Sequence, residues 1–94
     1  MPETAVTLRN ATGLHARPAK IFAKAAAAWP ADVVVVKDGR EVNAKSVLSV
    51  LTLDCHRGDE ILIRTSGEDA DAALSDLVAL VEAGLGESNA NSGT

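Results

Sequence analysis

Asp38-Gly39, set between the stretches 33–37 and 40–44, constrains this chain more than any other pair of residues. A type I′ turn needs positive φ at both central positions, which Asp and Gly supply, and its twist matches that of two paired strands. An antiparallel hairpin is therefore expected here, and the neighbouring segments must cover one of its faces. Ala5-Val6-Thr7-Leu8 alternates like a half-buried strand, and Asn10-Ala11-Thr12-Gly13 follows as loop. Residues 16–28 are helix formers with Ala19, Phe22, Ala23 and Ala26 as an apolar stripe, stopped by Trp29-Pro30. Pro18 suits the first turn, where an amide has no intrahelical partner to lose.

Residues 46–53 fit either a short helix capped by Ser46 or a strand, because periodicity alone does not separate the two. After a loop at 54–59, residues 60–66 read as a strand. Residues 69–83 read as an amphipathic helix that buries Ala70, Leu74, Leu77, Val78 and Val81 and ends at Gly84 and Gly86. The polar tail 87–94 is expected to be disordered, leaving residues 1–86 as the folded domain. The order β-α-β-β-α-β-α describes an α+β layer with its helices segregated to one face of an antiparallel sheet.

Ninety-four residues make one domain. Seventeen are Ala and only Phe22 and Trp29 are aromatic, so the core is aliphatic and the domain too small for a deep cofactor cavity. Apolar runs such as 25–29 and 33–36 fall far short of the roughly 18 residues of a membrane span. Met1-Pro2-Glu3-Thr4 lacks the pattern of a secretory signal, and the single Cys55 forms no internal disulfide, so a cytoplasmic protein without membrane insertion is expected. The net charge of −4 is unevenly spread. Residues 65–94 carry six acids and no base, whereas residues 4–31 carry Arg9, Arg17, Lys20 and Lys24 and no acid.

His15 lies directly before the first helix, in that basic segment. Unpaired amides and the positive end of the helix dipole favour a bound anion there and disfavour an imidazolium, which biases a histidine at that place toward the neutral, nucleophilic form. A phosphoryl group on that ring would rest on the amides with Arg17 as a planar donor fork. From composition and spacing alone, an ordinary loop histidine with a solvated arginine fits better.

Gly13-Leu14-His15-Ala16-Arg17-Pro18-Ala19 closely resembles the active-site signature of the HPr family, the histidine phosphocarriers of the bacterial phosphoenolpyruvate-dependent sugar phosphotransferase system. The likeness continues through Asp38-Gly39, Val42-Asn43-Ala44-Lys45-Ser46, the apolar stretch to Leu53, Gly58 and Ser66-Gly67-Glu68-Asp69, covering residues 6–87. It implies an open-faced β-sandwich, a four-stranded antiparallel sheet with three helices on one face. It also implies a stoichiometric carrier rather than an enzyme, with no cofactor. By the same resemblance His15 would take a phosphoryl group from phosphorylated enzyme I, as a pros-phosphohistidine, and pass it to sugar-specific IIA domains. Ala16 and Arg17 would hold the phosphoryl oxygens, and Pro18 would fix the helix start.

Ser46 resembles the serine modified by HPr kinase/phosphorylase, a partner expected beside a transcriptional regulator. Val47, Leu48 and Leu51, with Lys20 and Lys24, resemble the partner-docking surface, whereas Val50 and Leu53 are expected in the core. Ala27 and Ser49 stand where relatives often carry lysine, and Asp54 where they often carry glycine.

Other classes fit less well. A corepressor-only relative would have lost the histidine. A nucleic-acid-binding plait needs stacking aromatics that residues 33–36 and 61–63 lack. No acid, base and nucleophile surround His15 in sequence as an enzyme requires. Cys55-His56 has no second ligand pair at metal-binding spacing, so no metal site is expected; Cys55 reads as core, His56 as a solvated loop residue and Trp29 as an apolar plug. The chain is expected to be a monomer that binds no nucleic acid.

Overall fold

A computed structural model describes residues 2–9 and 13–85. The Asp-Gly turn forms as expected, with φ of 50° at Asp38 and 83° at Gly39, and it joins β2 (Asp32–Lys37) to β3 (Arg40–Asn43) with Lys37 opposite Arg40. β4 (Glu60–Ser66) pairs antiparallel with β2 on one side and with β1 (Glu3–Thr7) on the other, giving the strand order β1-β4-β2-β3. The helices are α1 (Ala16–Ala27), α2 (Val47–Leu51) and α3 (Ala70–Glu82). This is the α+β, four-stranded antiparallel open-faced sandwich with three helices that the sequence implied. Among the described residues no helix is long and apolar enough to cross a membrane.

Strand side chains alternate across the sheet, so Val6, Val33, Val35, Ile61, Ile63 and Thr65 all turn toward the helices. Phe22 and the alanines of the α1 stripe complete that core together with Val50, Leu77 and Val81. Thr65 is fully buried, and its hydroxyl donates to the Ala70 carbonyl at 2.7 Å, so its polar group is satisfied. On the open face Arg64 reaches Glu3 at 3.2 Å and Glu41 at 3.3 Å, linking the sheet's two edge strands through its centre.

Two helices differ from the sequence reading. In α3 the fully buried row is Ala73, Leu77 and Val81, while Ala70, Leu74 and Val78 are only half-buried. The small Ala73 lets the helix approach the sheet closely and the larger side chains flank that row; counting hydropathy alone hides this. Gly84, at φ 94°, does end α3: its amide donates to Val81 and that of Leu85 to Leu80, both at 3.0 Å, which is a Schellman cap. Gly86 and the tail 87–94 lie outside the described residues. α2 is a helix and not a strand, but of five residues, shorter than the stretch 46–53.

Three basic residues lock the connections. Lys45 Nζ donates to the Trp29 carbonyl at 2.8 Å beyond the end of α1, and the Trp29 indole donates to Asp76 of α3 at 3.0 Å, so Trp29 is a half-buried clamp between α1 and α3 and not an apolar plug of the core. Arg40 donates to the Thr52 carbonyl at 2.9 Å, past the end of α2. Lys37 Nζ donates to the carbonyls of Leu53 (3.4 Å) and Asp54 (3.1 Å) and pairs with Asp59 at 3.1 Å. The hairpin thus grips the loop between α2 and β4.

Asp59 is held below the ordinary carboxylate range, first by the His56 amide that donates to it and then by Lys37. Between the lowered folded value and the ordinary one near 3.8, the unfolded chain binds the extra proton. The stabilisation is therefore complete above the ordinary value and lost as pH falls through the folded one. Chemical denaturation at a series of acid pH values is expected to show this loss, and Asp59→Asn to remove that component.

Candidate functional site

His15 is the N-cap of α1, with φ −88° and ψ −171°, and its carbonyl accepts the first helical bond, from the Ala19 amide at 2.8 Å. Its side chain makes no capping hydrogen bond. The amides of Ala16 and Arg17 in the first turn thus have no intrahelical acceptor and no side-chain cap from His15, while Pro18 has no amide at all. Pro18 and Ala19 are buried, which fixes the direction of the helix start. No acid occupies the first turn, so nothing there competes for an incoming anion.

What seats this segment is a backbone contact. The Leu14 amide donates to the Cys55 carbonyl at 3.1 Å. Gly13, at φ 63°, lies so close to residues 55 and 56 that a Cβ there would stand 2.5 Å from the Cys55 oxygen and 2.6 Å from the His56 Cα. Docking residues 13–15 on residues 54–56 brings three side chains together. His15 Nε2 and His56 Nε2 each lie 3.5 Å from Asp54 Oδ1, and the two imidazoles meet edge to face with centroids 5.0 Å apart. Asp54 adopts φ 52°, a left-handed backbone that Asp enters more readily than most side chains but less readily than glycine.

The structure places the other sequence candidates as follows. Arg17, Lys20 and Lys24 are exposed and, at spacings of three and four, form one ridge along α1. They make no hydrogen bond or ion pair with the described residues. Ser46 is the N-cap of α2, its hydroxyl accepting from the Ser49 amide at 3.2 Å. Leu48 is 77% exposed, the one large apolar side chain so exposed among the described residues, with Val47 and Leu51 half-buried beside it. Val50 and Leu53 are core, as expected. α2 packs against α1, the helix that begins at His15.

Cys55 is fully buried and its thiol is pushed up to about 11, chiefly by burial, so it is a core residue and not a reactive thiolate. His56 is not merely a solvated loop residue, because it shares Asp54 with His15. Sequence reading missed this grouping. Positions 15 and 54–56 are distant in the chain, and no local pattern at Asp54 marks it as a partner of the histidines.

A surface histidine over an uncapped helix start, carried on an open-faced α+β sandwich, defines an anion-accepting site that is open to large partners. The family model described as the PTS HPr component phosphorylation site matches residues 2–83. The phosphocarrier protein HPr of Streptomyces coelicolor is 48% identical over 88 residues, 93% of this chain and 95% of its own length. Among solved structures, HPr-C-His of Thermoanaerobacter tengcongensis superposes with a TM-score of 0.89 at 37% identity, covering 93% of this chain and 98% of that one. Crh of Bacillus subtilis, described as a domain-swapped dimer, gives 0.72 at 39% identity, with 89% and 97% covered. The chain belongs to the HPr family of phosphocarrier proteins of the phosphotransferase system.

The seat of residues 13–15 is testable by contrast. Gly13 and Gly58 both have positive φ, but only Gly13 faces backbone, while a Cβ at Gly58 meets nothing within 4 Å. Gly13→Ala is expected to destabilise the fold clearly more than Gly58→Ala in denaturant titrations, because strain is then joined by a backbone clash.

Proposed function

We propose that His15 carries the phosphoryl group, taking it at Nδ1 from phosphorylated enzyme I and giving it to a histidine on sugar-specific IIA domains. The observation that carries this reading is the uncapped first turn, where the amides of Ala16 and Arg17 stand open beside the ring. Asp54 faces Nε2, which favours the tautomer with its proton there and leaves the Nδ1 lone pair for attack on phosphorus. As the P–N bond forms at Nδ1 the bond to the donor breaks, and the reverse exchange delivers the group onward. The amides and the Arg17 guanidinium balance the phosphoryl charge without enclosing it, which suits a bond that must be handed on.

Partners dock on the apolar patch of Val47, Leu48 and Leu51, flanked by the basic ridge of Lys20 and Lys24. Exposed leucine at its centre and unpaired cations at its rim match an acidic partner with an apolar core. Phosphorylation of Ser46 by an HPr kinase/phosphorylase would add about −2 charge beside that patch and repel the same partners. The carrier acts in the cytoplasm as a monomer, so that both sides of each exchange reach one exposed site.

Incubation with enzyme I and phosphoenolpyruvate, followed by mass spectrometry, is expected to show one acid-labile phosphoryl group that His15→Ala abolishes. An unmodified wild-type protein beside competent enzyme I contradicts the assignment. Ser46→Asp is expected to slow acceptance while circular dichroism stays native.

A further inference from the structure

We propose that His15, Asp54 and His56 form a binding site for a divalent transition-metal ion of the zinc type, because one atom from each converges on a common point at the surface. The three ligand atoms lie within 4.8 Å of one another, and Asp54 Oδ1 is 3.5 Å from Nε2 of each histidine. Ligands about 2.0–2.2 Å from a tetrahedral zinc ion stand about 3.3–3.5 Å apart. Both carboxylate-to-imidazole distances already meet that spacing. Only the two rings must close on each other, and both are exposed enough to turn.

The support around the ligands is already built. Asp54 is held by its left-handed backbone and by Lys37 on its carbonyl. His56 is held through its amide, which donates to Asp59 at 2.8 Å, and its Nδ1 lies 3.8 Å from the same carboxylate, an arrangement that points Nε2 toward the site. The backbone before His15 is held by the docking of Gly13 and Leu14 on residues 55 and 56, leaving its ring to turn. Cys55, buried, takes no part.

The donor set decides the ion. Two imidazole nitrogens and one carboxylate suit zinc, copper or nickel, whereas calcium and magnesium prefer oxygen alone. Three protein ligands on an open surface leave a fourth position for water or a further donor. The site goes beyond the carrier reading, sharing His15 and Asp54 with it and adding His56.

The test uses the full chain without a histidine tag and without any phosphoryl donor, so that failure of phosphoryl transfer and failure of metal binding are read separately. Calorimetric titration with zinc chloride is expected to show one saturable site, and imidazole ¹⁵N spectra to shift at Nε2 of His15 and His56. His56→Ala and Asp54→Asn are each expected to weaken binding about tenfold or more. Magnesium chloride is expected to leave the imidazole signals unmoved. No saturable zinc binding, shifts at neither ring, or an affinity unchanged in His56→Ala overturns the site. The wild-type ring shifts decide the matter even if a variant unfolds.

Discussion

The backbone of residues 13 and 14 rests directly on that of residues 55 and 56, and the rest of the site depends on that contact. It needs a residue with no side chain and positive φ at position 13, and it uses the Leu14 amide as its hydrogen bond. Once seated, the chain enters α1 with His15 as N-cap, and the ring lies beside Asp54 without capping the first turn. The open start of α1 and the meeting of His15 with His56 are thus both placed by one close approach.

That approach also needs a firm loop beneath it. The loop between α2 and β4 has almost no regular structure of its own, and its carbonyls are tied instead by Lys37 and Arg40 from the hairpin. The Asp-Gly turn therefore does more than join two strands. It sets where Lys37 and Arg40 emerge, and so where Asp54 and His56 are held. Lys37 is in turn kept charged by Asp59, the carboxylate that also receives the His56 amide. Charge in this protein is unevenly used: cations from 37 to 45 hold backbone, whereas Arg17, Lys20 and Lys24 stand exposed along α1.

Much of the fold was legible because its signals are local. Asp38-Gly39 names its turn, Pro18 and Ser46 mark helix starts, and alternation in 60–66 shows a strand with one buried face. The buried row of α3 was misplaced because Ala73 carries little hydropathy yet sets the closest approach to the sheet. α2 is shorter than its apolar stretch because the chain tightens past it, the Leu53 and Asp54 amides donating three residues back to Val50 and Leu51 before Asp54 turns left-handed. At the site, His15 and Arg17 stood out through their motif, but Asp54 and His56 could not. Their part arises from a contact between segments about forty residues apart, which no periodicity or spacing encodes.

This contact brings Asp54 against Nε2 of His15, and the proposed transfer requires the proton to sit there and Nδ1 to be bare. Long-range ¹H–¹⁵N correlation of the imidazole in metal-free protein, at about pH 8 where an ordinary histidine is neutral, reads this directly. The expected result is a His15 ring with its proton on Nε2 and a bare Nδ1. A ring carrying its proton on Nδ1 would contradict the account.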